Sequence, residues 1–303
     1  MIRFLISKAK QLLGINDIQQ NQRQMLNLLG KLMSSLNSKK NFKDINDYEF
    51  KVFSQFGDDG IIQYLIQNID IKNKFFLEFG VENYEEANTR FLLESNNWAG
   101  MVIDSSEKNI SYIKNQYYYW KFNLNAFCHF ITKENINEIL KKNINKPEIG
   151  ILSIDVDGND YWIWREINII DPLIVIIEFN STFGFNNKIS IPYNSEFERS
   201  KAHHSNLYWG ASLEAFKFLA KQKGYRFFTT NSAGNNAYFI KENIFDKLQV
   251  NLKKNVFQSK FRESRDYSGK KTFANFNDRL KIIGHLEVED VETKKISKIS
   301  ELL

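Results

Sequence analysis

The sequence predicts an α/β protein built on a doubly wound, mostly parallel sheet. From about residue 46, short apolar runs alternate with helical periods, which is typical of parallel strands joined by helical crossovers. The run at 173–179 is continuously apolar, as expected for a strand covered by helices on both faces. The last two predicted strands are joined by only residues 231–236, too few for a crossover, so they form an antiparallel hairpin at the end of the sheet.

The predicted elements follow one another without an internal repeat. Strands are predicted at 75–79, 101–104, 126–131, 151–155, 173–179, 225–230 and 237–240. Helices are predicted at 58–68, 85–95, 106–117, 133–142, 159–168 and 211–223. We therefore expect a helical appendage at 1–45, a main domain at 46–245, and a C-terminal extension at 246–303 whose charged, less periodic sequence indicates no role.

The appendage has its own apolar pattern. Met25, Leu28, Leu32 and Leu36 recur at helical spacing. We expect a helix that docks on the main domain or pairs with a second copy to form a homo-oligomer. The alternative is an amphipathic membrane-surface helix, which is favoured by the apolar stretch 2–6 beside two lysines.

Composition excludes several classes of protein. With 26 Phe, 13 Tyr and 5 Trp, the chain is too aromatic to be mainly disordered. The net charge of +5 comes from scattered residues rather than a basic stripe, so no nucleic-acid partner is expected. The single cysteine, Cys128, excludes a disulfide framework, and the longest apolar run, Leu173–Ile177, is far below the roughly 18 residues of a transmembrane helix. We expect a cytoplasmic protein, with peripheral contact at the inner membrane left open.

The end of the first predicted strand carries the first candidate site. Glu78 and Gly80 close the strand, and Asp104 closes the next one, where an acid accepts hydrogen bonds from ribose hydroxyls. A nicotinamide dinucleotide requires a glycine-rich loop for its diphosphate, but this chain has Glu82 and Glu85 there. S-adenosylmethionine carries a sulfonium and an ammonium group and no phosphate, so the acids favour it as the cofactor.

Two further strand ends are acidic. Asp155, Asp157 and Asp160 follow one strand, and Glu178 and Asn180 follow the next. Part of this cluster is explained by capping of the following helix. Asp155 and Asp157 are candidates to bind the cofactor's ammonium group or a divalent cation, and Asp155 is also a candidate catalytic residue for proton abstraction. Since sequential strands often neighbour each other, we expect Asp155, Glu178 and Asn180 to converge as ligands of Mg²⁺ or a similar divalent cation, or, without metal, Glu178 and Asn180 to bind the acceptor.

Two adjacent histidines, His203 and His204, are candidate bases. A near-neutral imidazole can deprotonate a sugar hydroxyl, and because adjacent side chains diverge, at most one is expected to face the site. Two solvated loop histidines are the alternative interpretation.

Taken together, the chain resembles the FkbM-like group of S-adenosylmethionine-dependent methyltransferases over about residues 50–240. The stretches that carry this resemblance are SQFGDDGII (54–62), EFGVENYEEANT (78–89), VIDSSEKNI (102–110), FITKENIN (130–137), LSIDVDGNDYWIW (152–164), IIEFNSTFG (176–184), YWGASLEA (208–215), YRFF (225–228) and NSAGNNAYF (231–239).

The resemblance implies a class I methyltransferase fold, Rossmann-like, with a seven-stranded sheet. It implies transfer of a methyl group to an oxygen of a sugar or related precursor, carbohydrate or phosphorylated, of a bacterial surface polysaccharide such as capsule or lipopolysaccharide. The cofactor-binding residues expected on this basis are Glu78, Gly80, Glu82, Thr89, Asp104, Ser105 and Asp155.

The chain departs from the group at Glu82 and Tyr84, where the resemblance leads us to expect glycines. Two other functions therefore stay open. One is a catalytically inactive protein of the same fold that binds glycan precursors or serves as a scaffold, and the other is an NAD-dependent sugar oxidoreductase.

Overall fold

The computed structural model describes residues 15–246, 248, 252–259 and 264–302. Its strands are β1 Phe75–Phe79, β2 Ala99–Asp104, β3 Leu124–Cys128, β4 Glu148–Ile154, β5 Asp171–Glu178, β6 Ile189–Ser190, β7 Tyr225–Thr230, β8 Asn236–Lys241, β9 Glu287–Asp290 and β10 Ile296–Lys298. Its α-helices are α1 Ile15–Asn37, α2 Asp58–Asn68, α3 Arg90–Asn96, α4 Glu107–Lys114, α5 Tyr117–Lys121, α6 Ile136–Asn143, α7 Asp160–Glu166, α8 Arg199–Ala202, α9 Leu213–Gln222, α10 Glu242–Phe245 and α11 Phe276–Ile283. Residues 1–14, on which the membrane-surface hypothesis rests, lie outside the described residues.

Seven strands form one sheet in the order β3-β2-β1-β4-β5-β8-β7. Strands β1 to β5 are parallel to one another, whereas β8 is antiparallel to both β5 and β7. The order changes direction between β1 and β4, which is where open α/β sheets bind their ligands. This order with one reversed strand is the class I methyltransferase fold, so the predicted fold class is confirmed.

Alternating side chains of the sheet pack into two hydrophobic layers. Leu77, Met101 and Leu152 belong to one buried cluster, while Phe76 and Ile151 belong to the cluster on the other face. Because helices cover both faces, the strands are apolar at consecutive positions rather than at alternate ones. Because both faces of the sheet are covered by apolar side chains, the polar side chains lie at the carboxyl ends of the strands.

The helix predicted at 58–68 coincides with α2, but two other helices differ from prediction. The one predicted at 85–95 begins only at Arg90, because the preceding loop hydrogen-bonds to the end of β1. The one predicted at 106–117 breaks into α4 and α5 around Asn115.

A second, three-stranded sheet with the order β10-β9-β6 was not predicted. It joins a two-residue strand from the middle of the chain to two strands from its end. Ile189, Val288 and Ile299 fill its small core. Residues 276–302 of the C-terminal extension thereby pack against the insertion between β5 and β7. None of the helices in the described part of the chain is long and apolar enough to cross a membrane.

Candidate active site

The turn after β1 brings that strand against the end of β4. Gly80 has φ +71°, and a Cβ there would lie 1.5 Å from the carbonyl oxygen of Asp155, so only glycine fits. Glu82 and Tyr84 follow with φ of 46° and 63°. Both therefore adopt the left-handed backbone that glycine accepts most easily, at the two positions where the resemblance leads us to expect glycine.

Glu78 lies beneath this loop and holds it in place. Its carboxylate accepts hydrogen bonds from the backbone NH groups of Asn88 and Thr89 at 2.9 and 3.2 Å, from the Thr89 hydroxyl at 2.5 Å, and from the Ser153 hydroxyl at 3.2 Å. Burial raises the pKa of Glu78, and the bonds from Thr89 oppose that rise. Glu78 thus holds the loop through these bonds and also lines one of the two cavities described below. Thr89, also expected to bind cofactor, bonds Glu78 and lines neither cavity.

Asp104, at the end of β2, organises the next part of the edge. Its Oδ2 accepts the backbone NH of Glu82 at 2.8 Å, and its Oδ1 accepts the NH of Ser106 at 2.9 Å and the Asn109 side-chain amide at 3.1 Å. The carboxylate therefore joins the loop after β1 to the start of α4. It also faces a cavity, where its oxygens have lone pairs left for a ligand's hydroxyl groups.

This cavity, which we call the acidic cavity, has a volume of about 250 Å³. It lies where β1, β2, β3 and β4 end, and Phe130 and Ile131 contribute apolar wall. The charged side chains that line it are all acidic: Glu82, Asp104, Asp155 and Asp157. Among the described residues, no Lys or Arg lines it, so it offers nothing to neutralise a diphosphate. Ser105 lines it as expected, and so does His129.

A second cavity of about 190 Å³, which we call the amide cavity, adjoins the first. The two share Gly80, Glu82, Asp155 and Asp157. Its remaining polar wall consists of Gln55, Glu78, Glu86, Asn88, Glu178, Arg199, Asn235 and Asn236. Side-chain amides both donate and accept hydrogen bonds, which suits a ligand rich in hydroxyl groups.

Asp155 and Glu178 meet at the boundary of the two cavities. Carboxylate oxygens of Asp155, Asp157 and Glu178 lie within 4.8 Å of one another. Desolvation by burial, followed by the charges of neighbouring carboxylates, raises the pKa values of Asp155 and Glu178 well above the usual range. Glu178 is only 8 % exposed, and its Oε2 has no hydrogen-bond partner among the described residues. The pair is thus suited to hold a proton near neutral pH or to bind a cation.

Arg199 is a functional candidate that sequence reasoning missed. Its guanidinium forms an ion pair with Asp157 at 2.6 Å, donates to the carbonyl of Asn206 at 2.9 Å, and lies over the Trp209 ring, 4.5 Å from its centroid. It lowers the pKa values of Asp155 and Glu178, against the larger effects of burial and of their acidic neighbours. A lone arginine in a polar loop gave no signal of this role.

Asn180 does not join the acidic cluster as we expected. Its amide nitrogen donates to the carbonyls of Leu207 and Trp209 at 2.9 and 3.0 Å, and its oxygen accepts the NH of Thr182 at 3.0 Å. Its polar atoms are used to hold the loop after β5. The place expected for Asn180 is taken by Asp157.

His203 and His204 line neither the acidic cavity nor the amide cavity. Their rings pack together with centroids 4.1 Å apart, and His203 also lies 5.7 Å from the His285 ring. His203 Nδ1 bonds the Ser205 hydroxyl at 2.7 Å, and His204 stacks on Tyr267 at 3.8 Å. Both rings therefore pack among other rings outside the two cavities, and the catalytic role expected for one of them stays a prediction.

The chain matches no protein-family model and no curated protein. Among solved structures it is similar to an O-methyltransferase from Bacillus cereus in complex with SAH, at 13 % identity over 59 % of this chain and 78 % of that chain, with a TM-score of 0.38. It is also similar to an S-adenosylmethionine-dependent methyltransferase from Clostridium acetobutylicum, at 10 % identity over 68 % and 94 % of the two chains, with a TM-score of 0.37. The fold assignment rests on the strand order of this chain and not on these similarities.

Proposed function

We propose that the chain binds S-adenosylmethionine in the acidic cavity and is an O-methyltransferase. The observation that carries this proposal is a cavity at the switch point of a class I sheet in which every charged lining side chain is a carboxylate. A donor with a sulfonium and an ammonium group is attracted to such a wall, whereas a dinucleotide is repelled. The proposal of an NAD-dependent oxidoreductase is correspondingly weakened.

The residues present fit this donor. Asp104 would accept hydrogen bonds from ribose hydroxyls, and Glu82 and Asp157 would face the positive groups. Phe130 and Ile131 supply apolar surface for a flat ring. When bound, the donor supplies a methyl group activated by the positive sulfur.

We place the acceptor in the amide cavity. Asn88, Asn235 and Asn236 present the mixed donors and acceptors that a sugar requires, and the cavity meets the acidic cavity at Asp155. The resemblance favours a sugar or related precursor of a bacterial surface polysaccharide as this acceptor. We propose a cytoplasmic enzyme acting on such a precursor.

Asp155 is our candidate for the general base. A hydroxyl is a weak nucleophile, so the protein must align it and remove its proton as the new carbon–oxygen bond forms. The proton passes to the Asp155 carboxylate, whose raised pKa makes it a stronger base than an ordinary aspartate. Glu178 shares the charge of this site from the neighbouring strand.

A divalent cation is the second candidate for this step. The unpartnered Oε2 of Glu178 and the three carboxylates within 4.8 Å form a donor set of hard oxygens that fits Mg²⁺ or a similar ion. Asp155, Asp157 and Glu178 would hold it, in place of the predicted set that included Asn180. A bound cation would lower the pKa of a coordinated hydroxyl.

The test is a methyl-transfer assay with labelled S-adenosylmethionine and a panel of nucleotide-linked and phosphorylated sugars, run with and without EDTA. Transfer to a sugar supports the proposal, and loss of transfer in EDTA assigns the proton step to the cation. Binding of the donor with no transfer to any sugar in the panel favours the inactive, glycan-binding alternative. A chain that binds neither donor nor sugar contradicts the proposal.

A further inference from the structure

Helix α1 docks on the domain through an unusual set of residues. The side chains that face the domain recur with helical periodicity and are polar or small: Arg23, Asn27, Gly30, Ser34 and Asn37. Arg23 forms an ion pair with Glu85 at 2.9 Å, Ser34 contacts Gln63 at 3.3 Å, and Asn37 donates to the carbonyl of Tyr48 at 3.0 Å. The inner face of α1 is therefore hydrophilic, and its position is set by hydrogen bonds.

Gly30 shows that this docking is close. A Cβ at Gly30 would lie 2.5 Å from a methyl carbon of Val52 and 2.7 Å from the Phe91 ring. The helix therefore lies so close to the domain at this point that any residue larger than glycine would clash. Rotation of α1 to turn its apolar side inward would lose this contact and the ion pair of Arg23.

The opposite side of α1 is a row of exposed apolar side chains, which we call the apolar stripe. The eight large ones whose exposure is described are 41–66 % exposed. Six lie along its length: Ile18, Met25, Leu28, Leu29, Leu32 and Leu36. A surface helix normally buries its apolar face and exposes its polar one, so α1 is inverted.

The stripe has the spacing of a helix pair. Ile18, Met25 and Leu32 are seven residues apart, and Gln22, Leu29 and Leu36 form the second seven-residue series beside them. Together they make the 3-4 repeat by which two helices interlock along a seam. Gln22 is the polar member of the seam, and a single polar residue there specifies the register of a pair.

The size of the stripe also indicates a protein partner. Eight large side chains at this exposure amount to several hundred Å², comparable with the about 800 Å² that each partner buries in a standard interface. A helix that binds an anionic membrane surface is rich in Lys and Arg, but α1 has only Arg23 and Lys31, and Arg23 is paired with Glu85. The charge pattern thus favours a protein over a lipid surface.

We infer that the apolar stripe of α1 packs against the same stripe of a second copy of this chain, forming a symmetric dimer through a helix pair. A self-complementary seam on one helix needs no other protein to cover it. The dimer would also hold the site's loop, because Glu85, which Arg23 binds, lies in the same loop as Glu82 and accepts the Tyr112 hydroxyl at 2.8 Å. This inference does not depend on the proposed function.

The test is sedimentation velocity of the full chain across a wide range of concentration. We expect the mass of a dimer for the natural chain and a two-fold lower mass for the double variant L29E/L36E. The matched control is Q20E/Q24E, which adds the same two charges at exposed positions outside the seam and should remain dimeric. A monomer at every concentration, or a dimer that persists in L29E/L36E, overturns the inference.

A second measurement distinguishes loss of the dimer from loss of the fold in the glutamate variant. In a C128S background, L29C should form an intermolecular disulfide on oxidation, while Q24C should not. Equal cross-linking at both positions, or none at L29C, contradicts a specific seam. Sedimentation of the natural chain with vesicles of equal phosphatidylglycerol and phosphatidylcholine is the remaining arm, and a vesicle-bound monomer would assign the stripe to lipid and overturn the dimer.

Discussion

Asp155 and Glu178 lie side by side at the ends of two parallel strands. Ile154 and Ile177 are paired in the register of β4 and β5, so the next residue of each strand carries a carboxyl group to the same point of the sheet edge. Asp157 belongs to the same cluster, and Arg199, which forms an ion pair with Asp157, supplies a positive charge there. Two carboxyl groups in contact, Glu178 buried and Asp155 half-buried, cannot both ionise readily, so the pair links the chemistry of the site to pH.

The first prediction concerns stability against pH. The folded state binds protons at Asp155 and Glu178 more tightly than the unfolded chain, because their pKa values are raised. Their contribution is therefore complete below the ordinary carboxyl range near 4 and is lost as pH rises through the raised values. Urea unfolding at pH 5 and pH 8 should show a smaller loss of unfolding free energy in D155N than in the natural chain.

The same comparison should retain a residual slope. Asp59 and Asp160 are buried, and desolvation raises the pKa of each to about 6. Both proteins should therefore also lose unfolding free energy at these two groups as the pH rises from 5 to 8. Identical pH slopes for D155N and the natural chain would show that Asp155 carries no raised pKa.

The second prediction concerns turnover. Replacement of Asp155 by Asn removes the proposed base while preserving shape, and kcat should fall about 100- to 10,000-fold, the usual contribution of a general base. The matched control is D70N, since Asp70 is an exposed aspartate that forms an ion pair with exposed Lys72. Methyl-transfer rates near those of the natural chain in D155N would remove Asp155 from this role.

The third prediction concerns donor binding at Asp104. In D104A the ribose acceptor is lost together with the bonds that hold Glu82 and Ser106. The dissociation constant for S-adenosylmethionine should rise about 10- to 100-fold, equivalent to about 1.4–2.8 kcal/mol. Calorimetry on E107Q, which alters an exposed acid three residues along the chain, is the control and should give the natural affinity.

The fourth prediction separates Asn180 from the chemistry. N180A removes three hydrogen bonds to buried backbone groups, so the free energy of unfolding should fall by about 1–3 kcal/mol. The response to EDTA of the protein that remains folded should equal that of the natural chain. A stable N180A variant that has lost a cation dependence would restore Asn180 as a metal ligand.

The sequence predicts the main sheet well because its strands are long, apolar and regularly spaced. The hairpin of β7 and β8 could be predicted from the shortness of its connection alone. The second sheet could not, since β6 has two residues and pairs with β9, about a hundred positions further along the chain. Strands of that length carry no periodic signal.

Side-chain direction is the part of the site that sequence does not determine. Asp155 directly follows β4 and Glu178 is the last residue of β5, so the two converge as predicted. Asn180 lies two residues beyond β5, after the chain has turned. Similarly, the apolar spacing of α1 predicts a helix but not which face docks. The polar face docks because Arg23, Gly30 and Ser34 match partners far along the chain.

The most direct test of the central claim is isothermal titration calorimetry of the purified chain with S-adenosylmethionine, S-adenosylhomocysteine and NAD. A cavity whose charged wall is entirely acidic should bind S-adenosylmethionine and S-adenosylhomocysteine and show no detectable binding of NAD. The D104A variant should bind the two adenosyl compounds more weakly than the natural chain does. Heat released by NAD, or no heat with S-adenosylmethionine from a folded sample, would contradict the account.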